Sequence, residues 1–245
     1  MSYNYDDSGT KMPNHAIVLA AGLGRRMMPL TETTPKPLLP LGHHRIIDYT
    51  LDKFEEAGVT ELVVNVHYKA SQLIEHLEKR HLGHTGEHVR ISQEAELLET
   101  GGGIKAALPW LGIGCFFVAN ADSVWMDGAT PALDRLATLW SDDEMDALLL
   151  VVKTPPEEEG DYSIHPQTDK LKYRPGGDLK YAGLAIVHTR LFRDAPEGSF
   201  SLKKLFDDAE RKGRLFGVKH NGKWFHLGTP EALAKADAEF RALNI

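Results

Sequence analysis

Gly22, Gly24, Arg25 and Arg26 fall within "GLGRRMMPLT" (22–31), directly after the apolar run "AIVLAA" (16–21). A strand that opens into a glycine-rich loop exposes backbone amides, and amides beside guanidiniums bind phosphate. The loop is neither of the two commonest phosphate loops. Met27 stands where G-x-G-x-x-G has its third glycine, and no G-K-[ST] follows. Pro29, Pro35, Pro37 and Pro40 exclude an immediate helix. Without a helix dipole behind it, the loop must hold an anion with its amides and with Arg25, Arg26 and Lys36.

Other residues offer further chemistry. Asp122 follows the strand-like "FFVANA" (116–121), and a carboxylate at a strand's carboxyl end suits Mg²⁺ held jointly with phosphates. Taken alone it would as readily cap a turn, and Asp127 in "MDGATP" reads as one. "ETGGGIKAAL" (99–108) sets three glycines at a helix start, where bare amides can approach a flat ring or an anion. A helix-entry turn is the simpler role, although three consecutive glycines exceed what a cap needs. His81, His84 and His88 have no cysteine or carboxylate pattern to complete a zinc site and read as a solvated loop. Cys115, the single cysteine, reads as a small buried side chain.

These residues need a scaffold, and 245 residues suffice for one α/β domain with its own core. The net charge of −7 argues against nucleic acid or a membrane surface as partner, while a nucleotide needs only a local positive pocket. One cysteine, a polar acidic N-terminus and no bilayer-length apolar run lead us to expect a cytoplasmic protein. Residues 1–14 read as a flexible tail and 15–245 as one domain. Buried strands are expected at "AIVLA" (16–20), "ELVVNV" (61–66), "CFFVA" (115–119) and "ALLLVV" (147–152), with a more exposed one at "HVRISQ" (88–93). Helical patterns fill the gaps, including 46–58, which ends on a capping Gly58, then 71–83, 103–111 and 130–140. After Val152 the rhythm changes to hairpins and loops, then a helix at 202–213, two short strands and a last helix from Pro230. Such alternation predicts a layered α/β domain with right-handed crossovers and a ligand at the carboxyl ends of its parallel strands.

"AIVLAAGLGRRMMPLTETTPKPLLPLG" resembles the signature of the sugar-1-phosphate nucleotidyltransferases. "IIDYTLDKFEEAGVTELVVNVHY", "LLETGGGIKAALPWLG", "FFVANADSVWMDG" and "GRLFGVKHNGKWFHLGTPEALAKA" extend the resemblance over nearly the whole chain from His15. The wording of "LLETGGGI" and "NADSVW" is most similar to the N-acetylmuramate-1-phosphate uridylyltransferases of cell-wall (peptidoglycan) recycling, with mannose-1-phosphate guanylyltransferases next.

The resemblance implies a three-layer sandwich around a mostly parallel mixed sheet, the Rossmann-like nucleotidyltransferase fold. It implies transfer of a nucleotidyl group from a nucleoside triphosphate to a sugar-1-phosphate, with Mg²⁺ as cofactor and Mn²⁺ as its alternative. Ala21, Gly22 and Gly24 then lie against the nucleotide, Arg26 grips the departing pyrophosphate and Lys36 steadies the reacting phosphates. Gly101 and Gly102 form the base-contacting turn, Asp122 holds the metal and Gly183 meets the sugar. His226 stands where many members carry a second metal-binding aspartate, as a ligand or as a hydrogen-bonding group. Met28 replaces a common arginine and Lys203 a common asparagine. Met28 and His226 leave a non-catalytic sugar-nucleotide-binding subunit as the alternative of another class. Neither Arg26 nor Lys36 is expected to support a core. Oligomeric state is not legible.

Overall fold

Aliphatic runs buried on both faces form the middle of a mixed sheet in the computed structural model, which describes residues 4–5, 11–81, 88–156 and 158–245. β1 (His15–Leu19), β2 (Glu61–Val66), β3 (His88–Gln93) and β4 (Cys115–Asn120) are parallel, in the order β4-β1-β2-β3. β5 (Ser123–Met126) leaves the sheet, and β6 (Ala147–Lys153) returns to it. β7 (Gly160–Ile164) and β8 (Leu171–Gly177) make the hairpin expected in the proline- and glycine-rich stretch. β9 (Leu179–His188) runs antiparallel to both β4 and β6, and β10 (Leu215–Lys219) lies parallel to β6. The order β10-β6-β9-β4-β1-β2-β3 therefore carries a single reversed strand, β9. β11 (Lys223–His226) pairs with β5 as a separate ribbon.

Because side chains alternate across a strand, each central strand feeds two cores. Ala16 and Val18 of β1 join one, and Ile17 joins the other. The first core is covered by α1 (Ile46–Glu56), α2 (Ala70–His81) and, further along the chain, Leu133 and Leu136. α1 presents Ile47, Leu51 and Phe54 to it at i, i+4 and i+7. Gly58 at φ +76° ends that helix, with the Val59 amide donating to the Phe54 carbonyl, so the expected cap is formed. α3 (Glu99–Ala107) covers the second core, α4 (Ala132–Leu139) carries Leu133 and Leu136, and α5 (Leu202–Arg211) lies beside α3. Helices on both faces of the sheet make the three layers. α3 begins at Glu99, four residues before the expected stretch, and stops at Ala107 because Pro109 cannot continue it.

A third, smaller core holds the glycine loop. Leu233, Ala236 and Phe240 of α6 (Pro230–Leu243) pack with Met27, Leu39, Leu41 and Ile46, closed by Val124 and Phe225 of the ribbon. At the other end of the sheet, the Arg190 and Arg214 guanidiniums each donate to Asp146 Oδ1 at 2.7 Å and tie β6, β9 and β10 together. Burial alone would raise the Asp146 carboxyl, but these hydrogen bonds outweigh it and hold the group below the usual carboxylate range.

Most of the expected tail, and residues 82–87 around His84, lie outside the described residues. At the boundary, Met12 and Pro13 are buried and the Asn14 carbonyl accepts from the amides of Thr60 and Glu61. The packed chain thus begins before residue 15. Among the described residues no helix is long and apolar enough to cross a membrane.

Candidate active site

The site begins where β1 and β4 end side by side. Leu19 pairs with Asn120, and the Ala121 amide donates to the Leu19 carbonyl at 3.0 Å. The glycine loop leaving β1 and Asp122 just beyond β4 are thereby neighbours. No α-helix follows the loop, as its prolines require. Short 3₁₀ turns at Arg25–Met27, Leu30–Glu32 and Lys36–Leu38 take its place.

Several contacts brace this loop. Gly24 sits at φ +63°, and the Thr31 hydroxyl donates to its carbonyl at 2.9 Å. Tyr68 donates to the Thr31 carbonyl and Gln72 to that of Thr33, both at 2.9 Å, which ties the loop to the β2–α2 region. A Cβ on Gly24 would lie 2.9 Å from Thr31 Cγ2 and 3.3 Å from Lys36 Cβ. Gly22 differs, since nothing in the protein lies within 4 Å of where its Cβ would stand. Arg25 and Arg26 are exposed and have no ion pair among the described residues.

A cleft of about 660 Å³ opens over these strand ends. Ala21, Gly22, Gly24, Arg26, Lys36 and Asp122 all line it. Lys36 Nζ lies 2.5 Å from Asp122 Oδ2, a pair separated by 86 positions in sequence. The expectation for Lys36 needs correcting. It is 8% exposed, so its alkyl stem is part of the packing beneath the loop, with only the ammonium reaching the cleft. Met28 is 52% exposed and outside the cleft lining, so an arginine's absence there takes no cation from the wall.

Gly101, Gly102, Gly183 and His226 do not line the cleft. The Gly101 and Gly102 amides both donate to the Phe200 carbonyl, at 2.8 and 3.1 Å. A Cβ on Gly101 would strike the Phe200 ring, and one on Gly102 the Gly198 carbonyl. These glycines let α3 meet the chain entering α5, and their neighbours Glu99 and Thr100 form the cleft wall. Gly183, at φ +82°, lies directly against Ser123 Oγ, in the turn that carries Asp122. The His226 ring stacks on Trp224, and its Nδ1 is 2.9 Å from Glu158 Oε1. Lys180 Nζ is 2.6 Å from the other Glu158 oxygen. Burial pushes the Glu158 carboxyl up, but hydrogen bonding to His226 and Lys180 outweighs it and holds the group below its usual range.

A divalent ion fits these donors in one way. Among the described residues no three His, Cys, Asp or Glu side chains cluster as a metal cage. Asp122, with its side chain 33% exposed in the cleft, offers one carboxylate, and Mg²⁺ commonly takes one or two carboxylates together with phosphate oxygens and water.

Sequence reasoning missed Asn65 and Glu94. Asn65 Oδ1 accepts from the Ala20 amide at 2.7 Å, fixing the start of the loop, and its Nδ2 donates to Glu94 Oε1 at 2.7 Å. Glu94 Oε2 in turn accepts from the Leu98 amide at 2.9 Å, just before α3. The available signal was an asparagine inside the apolar run of β2.

The nucleotidyl transferase family model matches residues 15–164. The chain is 38% identical to an N-acetylmuramate alpha-1-phosphate uridylyltransferase of Caulobacter vibrioides, covering 94% of this chain and 98% of that one. It is 35% identical to a protein of the same name from Neisseria meningitidis serogroup B, over 91% and 96% of the two chains. Mannose-1-phosphate guanyltransferases are more distant, at 27 to 28%. A UDP-glucose pyrophosphorylase solved with UDP-glucose superposes with a TM-score of 0.80 at 16% identity, over 94% of this chain and 98% of that one, which shows the shared fold. On the family match and the two full-length relatives together, the chain belongs to the nucleotidyl transferase family and is a sugar-1-phosphate nucleotidyltransferase.

Proposed function

We propose that the nucleotide is UTP and the acceptor N-acetylmuramate 1-phosphate, giving the UDP-sugar and pyrophosphate. The observation that carries the phosphate chemistry is the cleft itself. Arg25 and Arg26, without ion pairs among the described residues, the unobstructed Gly22 and the Lys36–Asp122 pair meet over the ends of two parallel strands. The choice of base and sugar rests on the names of the two relatives at 38 and 35% identity.

An oxygen of the sugar phosphate attacks the α-phosphorus in line. A new P–O bond forms as the bond to the bridging oxygen breaks, and that oxygen leaves with pyrophosphate. No covalent intermediate with the protein is required, only positioning and charge neutralisation. In this reading Ala21, Gly22 and Gly24 place the α- and β-phosphates, and Arg26 offsets charge developing on pyrophosphate. Lys36 holds Asp122 in place and contributes its own positive charge. Asp122 would hold Mg²⁺, with Mn²⁺ as the alternative, and such an ion neutralises phosphate oxygens when bound. Gly101 and Gly102 act by shaping the wall behind the base, through Phe200. Gly183 acts by keeping the Asp122 turn close, beside the sugar. His226 serves through Glu158 as a hydrogen-bonding group rather than as a metal ligand. The reading also places the reaction in the cytoplasm, in cell-wall recycling.

The test is pyrophosphate release from a matrix of the four nucleoside triphosphates with N-acetylmuramate, N-acetylglucosamine and mannose 1-phosphates, with and without Mg²⁺. The expected result is Mg²⁺-dependent release highest for UTP with the muramate phosphate. Preference for GTP with mannose 1-phosphate would overturn the base and sugar. Nucleotide binding without release in any combination would overturn the assigned chemistry.

A further inference from the structure

Glu99 stands out among the cleft residues because its backbone does not suit its type. It has φ +57°, a left-handed conformation that glycine adopts freely and that costs a residue with a Cβ. Three glycines, Gly101 to Gly103, follow one residue later, yet the left-handed position itself is held by a glutamate. Strain kept at a ligand cleft is a pointer to use.

The carboxylate has a use to offer. Glu99 is exposed, lines the cleft, and has no hydrogen bond or ion pair among the described residues. The other acceptors on that wall are engaged. Asn65 Oδ1 takes the Ala20 amide, and Thr100 Oγ1 takes the Leu202 amide at 2.8 Å. Ser201 Oγ accepts from the Lys203 amide at 3.3 Å, and Leu97 is apolar. The cations of the cleft are Arg25, Arg26 and Lys36, all on the glycine-loop side. A polyanion places its phosphates there and keeps them away from an unpaired carboxylate. What reaches Glu99 is therefore the uncharged end of the nucleotide. An ionised carboxylate only accepts, so its partner must be a donor.

We infer that Glu99 is a specificity-determining residue of the nucleoside end of the cleft, accepting a hydrogen bond from a ribose hydroxyl or from the N–H of the base. This rests on the proposed triphosphate orientation. It adds a determinant carried by one side chain, where the wall is otherwise backbone, apolar or already bonded.

The experiment compares wild type with Glu99→Gly and Glu99→Gln. Each is assayed for pyrophosphate release with UTP, 2′-deoxy-UTP, 3′-deoxy-UTP and 3-methyl-UTP, alongside thermal unfolding. Wild type should disfavour the analogue that lacks the donor by about ten- to a hundredfold in kcat/KM, the range of a charge-assisted hydrogen bond. Glu99→Gly should raise KM for UTP by a similar factor with little change in kcat, and should no longer discriminate against that analogue. Loss of discrimination against a deoxy analogue assigns the ribose, and against 3-methyl-UTP the base. The unfolding midpoint of Glu99→Gly should hold or rise, because glycine relieves the left-handed backbone. Wild-type KM and discrimination in Glu99→Gly would overturn the inference. So would a midpoint that falls in both variants together with activity, which would make Glu99 a residue of the fold. If wild type turns over another triphosphate than UTP, the uridylyl reading fails separately. The same comparison with that triphosphate and its deoxy and ring-methylated forms then decides Glu99.

Discussion

Two glycines two residues apart in the loop should fail in opposite ways when changed to alanine. Gly24→Ala forces a Cβ into a left-handed backbone at φ +63°, which costs about 1–2 kcal/mol. The new methyl would also lie 2.9 Å from Thr31 Cγ2 and 3.3 Å from Lys36 Cβ, and Thr31 is fully buried. Overpacking of that kind adds about 1–3 kcal/mol. The sum, roughly 2–5 kcal/mol, lowers the Tm of a chain of this size by about 4–20 °C. Gly22→Ala meets no protein atom within 4 Å and lies outside the left-handed region, so its Tm should stay within about 2 °C of wild type. Its methyl instead enters the cleft that Gly22 lines. Crowding the approaching phosphate by one methyl is worth about 1–3 kcal/mol, or about tenfold or more in KM for the triphosphate. Calorimetry and steady-state pyrophosphate release on both variants are the assays. A stable Gly24→Ala, or a Gly22→Ala with unchanged KM, would refute the division between a packing glycine and a ligand-facing one.

Arg26→Ala and Lys36→Met should each raise the barrier to turnover by about 2–4 kcal/mol, the usual cost of removing a group that stabilises developing charge. Methionine is chosen at Lys36 to keep the buried stem filled, and wild-type kcat in both variants would exclude the charge-offsetting role. Asp122→Asn should abolish metal-dependent turnover, whereas His226→Asp should leave the order of metal preference unchanged if His226 serves as the hydrogen-bonding partner of Glu158 and not as a ligand. Metal titrations of pyrophosphate release separate the two, and a shift of preference toward Mg²⁺ in His226→Asp would make His226 a ligand. Asp146 predicts a pH dependence. Its folded carboxyl lies below its unfolded value, which is about 3.9, so its stabilisation is fully present above that pH and is lost as pH falls through the lower folded value. Asp146→Asn should lose about 2–4 kcal/mol at pH 7 by leaving two guanidiniums unpaired. Urea melts between pH 7 and 3 should show a flatter stability profile below pH 4 in the variant, and identical profiles would refute the assignment.

Local order was legible because it is set locally. A run such as "ELVVNV" has few uses other than a strand buried on both faces, and it forms β2 with the expected bounds. Four prolines forbade a helix after the glycine loop, and 3₁₀ turns fill the stretch. Gly58 closed α1 because a left-handed cap needs no partner beyond its own helix. The gathering of Gly22, Arg26, Lys36 and Asp122 could be expected because ligands collect at strand ends, and one cleft does hold them.

What the tertiary structure decided is which groups are already engaged. β4 lies beside β1, so Asp122 meets an ammonium 86 residues away. The chain entering α5 crosses α3, so Phe200 takes the amides of Gly101 and Gly102. The connection between β6 and β7 brings Glu158 to His226. Met27 and Leu39, on either side of Lys36 in the chain, are buried because α6 and the β5–β11 ribbon close a small core around the loop. Glu99 carries no mark in the sequence of its left-handed backbone, since nothing in its neighbours requires φ above zero. Periodicity and turn chemistry report the conformation of a segment, whereas hydrogen-bond saturation depends on the partner that the sheet order delivers, and that partner is far away in the chain.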